Sequence, residues 1–92
     1  MKGKLFGLLI TQDTTFDFND QTKGKGAVGI SIRNIGQTPL IIDDATQERI
    51  MPGEYFLIEN TMAVVNTDFR LKFEKNTGKT QLAVMRYIIP ID

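Results

Sequence analysis

Apolar and polar residues alternate with a period of two through most of this chain. The clearest run is residues 67–74, where Phe69, Leu71 and Phe73 fall on one side and Arg70, Lys72 and Glu74 on the other. Successive side chains of a strand point to opposite faces, so this pattern predicts a strand with one buried and one solvated face. Residues 27–35 repeat it, with Val28, Ile30 and Ile32 facing one way and Ser31 and Arg33 the other. Residues 14–18 bring Phe16 and Phe18 together, residues 38–43 carry Leu40 and Ile42, and residues 55–59 set Phe56 and Ile58 against Leu57. Residues 4–11 and 80–89 predict the first and last strands, with Pro90 ending the latter. The first strand is apolar on both sides. If Phe6, Leu8 and Ile10 face a core, Leu5 and Leu9 face away from it. An apolar second face calls for cover from another element or another chain.

The segments between these runs carry turn chemistry. Residues 19–26 form a polar loop with two glycines, and residues 34–37 supply a turn. Met51-Pro52-Gly53-Glu54 reads as a type II turn, with Pro at its second position and Gly at its third. Residues 75–79 predict a hairpin loop with Gly78 in a left-handed conformation. Residues 44–50 are the one helical candidate, of one or two turns. About seven short strands separated by turns roughly every 8–12 residues predict an all-β fold, an antiparallel two-sheet sandwich of the immunoglobulin-like or jelly-roll-like kind. Residues 1–92 are expected to form a single sandwich domain, as the length suits.

Charge and composition narrow the function. Eleven basic and eleven acidic residues give a formal net charge of zero, which argues against duplex nucleic acid as a partner and gives little colloidal repulsion between copies. The charges are segregated. Asp43, Asp44, Glu48, Glu54 and Glu59 cluster in one stretch against Arg49 alone, while Arg70, Lys72, Lys75, Lys79 and Arg86 dominate a later one. Such patches could meet on neighbouring copies. There is no histidine and no cysteine, which removes imidazole acid–base chemistry, thiol nucleophiles, disulfides and nearly all zinc sites. The chain is therefore not expected to be an enzyme or to need a cofactor or metal. Gly24-Lys25-Gly26-Ala27-Val28-Gly29 spells G-x-G-x-x-G, but phosphate binding needs a strand before it and a helix after it, and here a loop precedes and a strand follows. Asp43 and Asp44 are adjacent rather than spaced as in an EF-hand; a calcium site would need Glu48 or Asp92 beside them.

Two further signals concern surfaces. Of the eight aromatic residues, the six Phe fall mostly on inward positions, leaving Tyr55 and Tyr87 as candidate exposed stacking rings. With Arg70, Lys72 and Arg86 they could form a platform for a glycan or for single-stranded nucleic acid. Met62-Ala63-Val64-Val65 is an apolar run where a polar loop is expected, so Met62, Val64 and Val65 are candidate contact residues. Ile88, Ile89 and Ile91 add apolar surface near the other terminus. The apolar run after Lys4 is too short for a secretory leader, and no stretch reaches the roughly 18 apolar residues of a membrane helix, so no membrane partner is expected.

The stretches I-S-I-R-N-I-G-Q-T-P-L-I-I (residues 30–42), M-P-G-E-Y-F (51–56) and T-D-F-R-L-K-F (67–73) resemble immunoglobulin-like modules and small all-β structural proteins of bacteriophages. The phage resemblance implies a virion component, such as a capsid decoration, spike or tail-associated subunit, assembled in the host cytoplasm. The resulting expectation is a non-enzymatic assembly protein that packs against other capsid or tail subunits and forms homo-oligomers, with Met62, Val64, Val65, Leu5, Leu9, Tyr55 and Tyr87 as contact residues. The alternative is a ligand-binding β module for a glycan or single-stranded nucleic acid.

Overall fold

The period-two runs fold as strands that pair from the two ends of the chain inward. A computed structural model describes residues 2–58 and 68–91, with the backbone alone at Ile91. Its elements are β1 (Lys2–Ile10), β2 (Thr14–Asp17), α1 (Phe18–Gln21), β3 (Val28–Asn34), β4 (Leu40–Ile42), β5 (Arg49–Ile50), β6 (Tyr55–Ile58), β7 (Asp68–Phe73) and β8 (Ala83–Ile91). Every pairing is antiparallel: β1 with β8, β2 with β7, β3 with β6 and β4 with β5. Two further pairings, β8 with β3 and β7 with β4, complete a first sheet ordered β1-β8-β3-β6 and a second ordered β2-β7-β4-β5. Nested pairing of eight strands across two sheets is the jelly-roll arrangement. It decides between the two sandwich topologies that the alternation left open.

Between the sheets lies one core. Ile30, Ile32, Leu40, Leu71 and Met85 are fully enclosed, and burial of each such side chain is worth about 1.5–3 kcal/mol. Leu8, Met85, Ile32 and Phe56 lie opposite one another in a row across the first sheet. Phe69, Leu71 and Phe73 face the core from β7, as their spacing predicts.

Asn34 ties the sheets together at the end of β3. Its side-chain amide donates to the carbonyls of Thr38 and Ile50, each at 2.8 Å, and its Oδ1 accepts from the Gly36 N–H at 3.0 Å. Its backbone donates to Glu54 and accepts from Gly53. The residues 51–54 turn forms as expected: Glu54 N–H bonds to the Met51 carbonyl at 2.9 Å and Gly53 has φ 88°.

Several expectations are corrected. Residues 44–50 do not form a helix. The Asp44 carboxylate accepts from Thr46 N–H at 2.8 Å and Gln47 N–H at 3.2 Å, and Gln47 has φ 49°, which turns the chain into β5. The short helix lies instead at α1, where the Asp17 carboxylate caps the N–H groups of Asn19 and Asp20, so Phe18 enters the core from a helical turn. Residues 75–79 do not close a hairpin, because β7 and β8 belong to different sheets; Gly78 does adopt φ 80°. A bulge at Gly29 (φ 60°) shifts the register of β3, placing Val28 opposite Ile88 while Ala27 is buried. Val28 therefore does not continue the Ile30 and Ile32 face. Pro90 does not end β8: β3 starts opposite Ile88, so at Pro90 only β1 still runs alongside.

Candidate functional site

The two outer faces of the sandwich differ in chemistry. Rows of opposed residues show this directly, because directly paired side chains share a face. On the first sheet one row runs Leu9, Val84, Arg33, Tyr55; the next runs Gly7, Arg86, Ser31, Leu57; a third holds Leu5, Ile88 and Val28. Leu5 is 67% exposed, Leu9 64%, Tyr55 69% and Leu57 44%. Val84, Ile88 and Val28 are half-buried among them. On the second sheet the corresponding rows are Lys72, Ile41, Arg49, then Thr15, Arg70, then Asp17, Asp68. One face is thus a sheet-wide apolar surface interrupted by Arg33 and Arg86, and the other is charged. Large apolar patches on a folded surface mark sites that meet another protein or ligand.

Several charges on and beside the second face pair within the chain. Arg49 pairs with Glu74 at 2.6 Å, Lys72 with Asp43 at 3.6 Å and Lys75 with Asp13 at 2.9 Å. The acidic and basic stretches of the sequence thus touch within one molecule at Asp43 and Lys72. Asp13 also accepts from the Phe73 backbone N–H at 2.8 Å, and this bond, with that of Lys75, holds its carboxyl below the usual aspartate range. Hydrogen bonding from Gln47, ahead of the nearby Lys72 and Arg70 charges, lowers Asp43; hydrogen bonds from Thr46 lower Asp44. Among the described residues no group of three acidic side chains is gathered as a metal cage.

Leu5, Leu9 and Tyr55 share the apolar face but lie at its opposite edges, Leu5 and Leu9 on β1 and Tyr55 on β6. Tyr87 does not join them. It is 6% exposed and sits between the sheets, with Phe6 stacked at 5.7 Å and Phe16 and Phe18 packed edge-on at 5.5 Å. Burial pushes its phenol pKa up. The expectation of an exposed Tyr87 is corrected: β8 is apolar on both sides, and its register opposite Phe6 turns Tyr87 inward. The basic platform is dispersed because β7 and β8 belong to different sheets: Arg70 and Lys72 lie on the second sheet's outer face and Arg86 on the first's. Met62, Val64 and Val65 lie outside the described residues. Ile88, one of the three isoleucines near the C-terminal end of the sequence, joins this face, and Leu57 and Val84 complete it without standing out in the sequence; Leu57 alternates with Phe56 and Ile58 as a polar position should, and that is the signal that could have found it.

Beside Tyr55 runs an open groove of about 410 Å³, lined by Glu48, Arg49, Glu54 and Phe56 among others. Gly24 and Gly26 lead into β3, which contains Gly29, rather than into a helix, so no helix N-terminus follows that loop. No described helix is long and apolar enough to cross a membrane. Comparison with protein-family models, with curated proteins and with solved structures finds no match.

Proposed function

We propose that this chain is a non-enzymatic structural protein that acts by packing against other protein subunits, and that its setting is a bacteriophage particle, as a capsid decoration, spike or tail-associated subunit. The observation that carries the assembly reading is the apolar outer face of the first sheet, set against a charged outer face on the second, where Arg49 and Lys72 are ion-paired. The sheets already enclose a core without Leu5, Leu9, Leu57 and Tyr55, and among the described residues nothing covers these side chains, so contact with another molecule would bury them. The particle setting draws on the sequence resemblance and on the recurrence of jelly rolls in viral capsids, a fold-level analogy. A ligand module would stack its ligand on exposed rings; Tyr55 offers one, beside the groove, and Tyr87 is internal.

The test is mass spectrometry of gradient-purified particles from the phage or prophage that encodes the chain. The expected result is co-sedimentation in many copies per particle, and loss of incorporation for a Leu5→Lys/Leu57→Lys protein that keeps its circular dichroism. Absence of the wild-type chain from particles overturns the virion reading, and full incorporation of the variant overturns the role of the face.

A further inference from the structure

We infer that the chain pairs with a second copy of itself through β1, antiparallel and centred on Gly7, so that two first sheets join into one. This deepens the assembly reading and rests on it. Over the described residues the other three sheet edges are short: β2 and β6 have four residues each and β5 has two. Short edge strands are a common protection against unwanted pairing. β1 is the exception. It has nine residues, pairs with β8 in an unbroken register from Lys2 to Ile10, and carries no proline and no bulge. A long, flat, apolar edge is a template for another strand.

The residues of β1 select the partner. With Gly7 opposite Gly7 of the second copy, each Leu5 meets a Leu9 and each Phe6 meets a Leu8, so both faces of the seam place apolar side chains beside apolar ones. Shifting the centre by one residue to Leu8 sets Leu9 against glycine and Leu5 against Thr11. The charges agree. Lys2 and Lys4 are the charged residues of β1 and both lie at its start. Antiparallel pairing about Gly7 opposes each Lys4 to Ile10 and separates the two Lys4 residues by six positions along the seam, roughly 20 Å. That exceeds the Debye length of about 8 Å at physiological salt. Parallel pairing in register sets each Lys4 directly beside its copy. The two-fold arrangement also makes the apolar outer faces continuous, from Tyr55 of one molecule to Tyr55 of the other, which offers further subunits a broad surface.

The chain has no cysteine, so introduced thiols report the register cleanly. A Cβ at Gly7 meets nothing closer than Arg86 Cγ at 3.5 Å, an ordinary contact. Purified Gly7→Cys protein under mild oxidation is expected to give a covalent dimer, Leu5→Cys/Leu9→Cys likewise, and Leu57→Cys on the opposite edge far less. Light scattering of the wild type is expected to give twice the 10.4 kDa chain mass. Leu9→Lys is expected to weaken the dimer roughly hundredfold, about tenfold at each of two symmetry-related sites. A wild-type monomer at every concentration, or equal cross-linking at Gly7 and Leu57, overturns the inference, whether the edge then belongs to a different protein or to another segment of this chain. A monomer that is still found in particles leaves the assembly reading standing; a dimer absent from particles leaves the inference standing and removes the virion reading.

Discussion

The Asn34 side-chain amide reaches from the first sheet to the Ile50 carbonyl of the second, at 2.8 Å. Asn34 is fully buried, and its amide and carbonyl are all satisfied by backbone groups that have no other described side-chain partner. Replacing it by an apolar residue removes three side-chain hydrogen bonds, two of them buried. Asn34→Leu is expected to destabilise the fold by about 2–3 kcal/mol, read by urea denaturation. An unchanged midpoint would mean that the backbone pairing of β3 suffices without this bridge.

Tyr87 and Tyr55 are expected to separate cleanly. Tyr87→Ala empties the centre of an aromatic cluster that joins β1, β2, α1 and β8, and is expected to cost about 3–5 kcal/mol, whereas Tyr87→Phe keeps the rings in place and costs far less. Tyr55→Ala is expected to change monomer stability by no more than about 0.5 kcal/mol. Thermal melts of the three proteins check the order.

Thr38 is fully buried, and its hydroxyl has no hydrogen-bond partner among the described residues. Thr38→Val removes a desolvated polar group and keeps the shape. It is expected to raise stability by about 1 kcal/mol, seen as a higher melting temperature. A lower one would reveal a partner for the hydroxyl.

Asp13 sets a pH dependence. Its carboxyl titrates lower in the folded chain than in the unfolded one, chiefly through the Phe73 N–H and then through Lys75. The unfolded chain therefore takes up the proton first on acidification, so the stability Asp13 adds is present at neutral pH and is lost as pH falls through the lowered folded value. The site is half-exposed, so Asp13→Asn is expected to cost only about 1 kcal/mol at pH 7. That difference should vanish in strong acid, and a difference independent of pH would contradict the assignment.

Much of this fold is legible in the residues, and the gaps have physical causes. Phe69, Leu71 and Phe73 alternate with charges, so β7 and its buried face follow from local pattern alone. The pairing of β1 with β8 does not, because it joins strands some eighty residues apart through contacts that no local period records. Tyr87 misleads because β8 is apolar on both sides, and only its opposition to Phe6 decides the direction. Val28 misleads because the bulge at Gly29 adds a residue that alternation cannot show. Leu5 and Leu9 are legible as outward from β1 by itself; that Val84, Ile88, Leu57 and Tyr55 extend the same surface becomes visible only once the sheet order is known.

The central claim is that this surface is covered when the protein does its work. Hydroxyl-radical footprinting compares dilute purified protein with protein in assembled particles, with exposed Met51, outside the face, as the internal reference. The account predicts that Leu5, Leu9, Leu57 and Tyr55 are oxidised in the dilute protein and protected in the assembly, while Met51 is unchanged. Equal oxidation of these four residues in both states would contradict it.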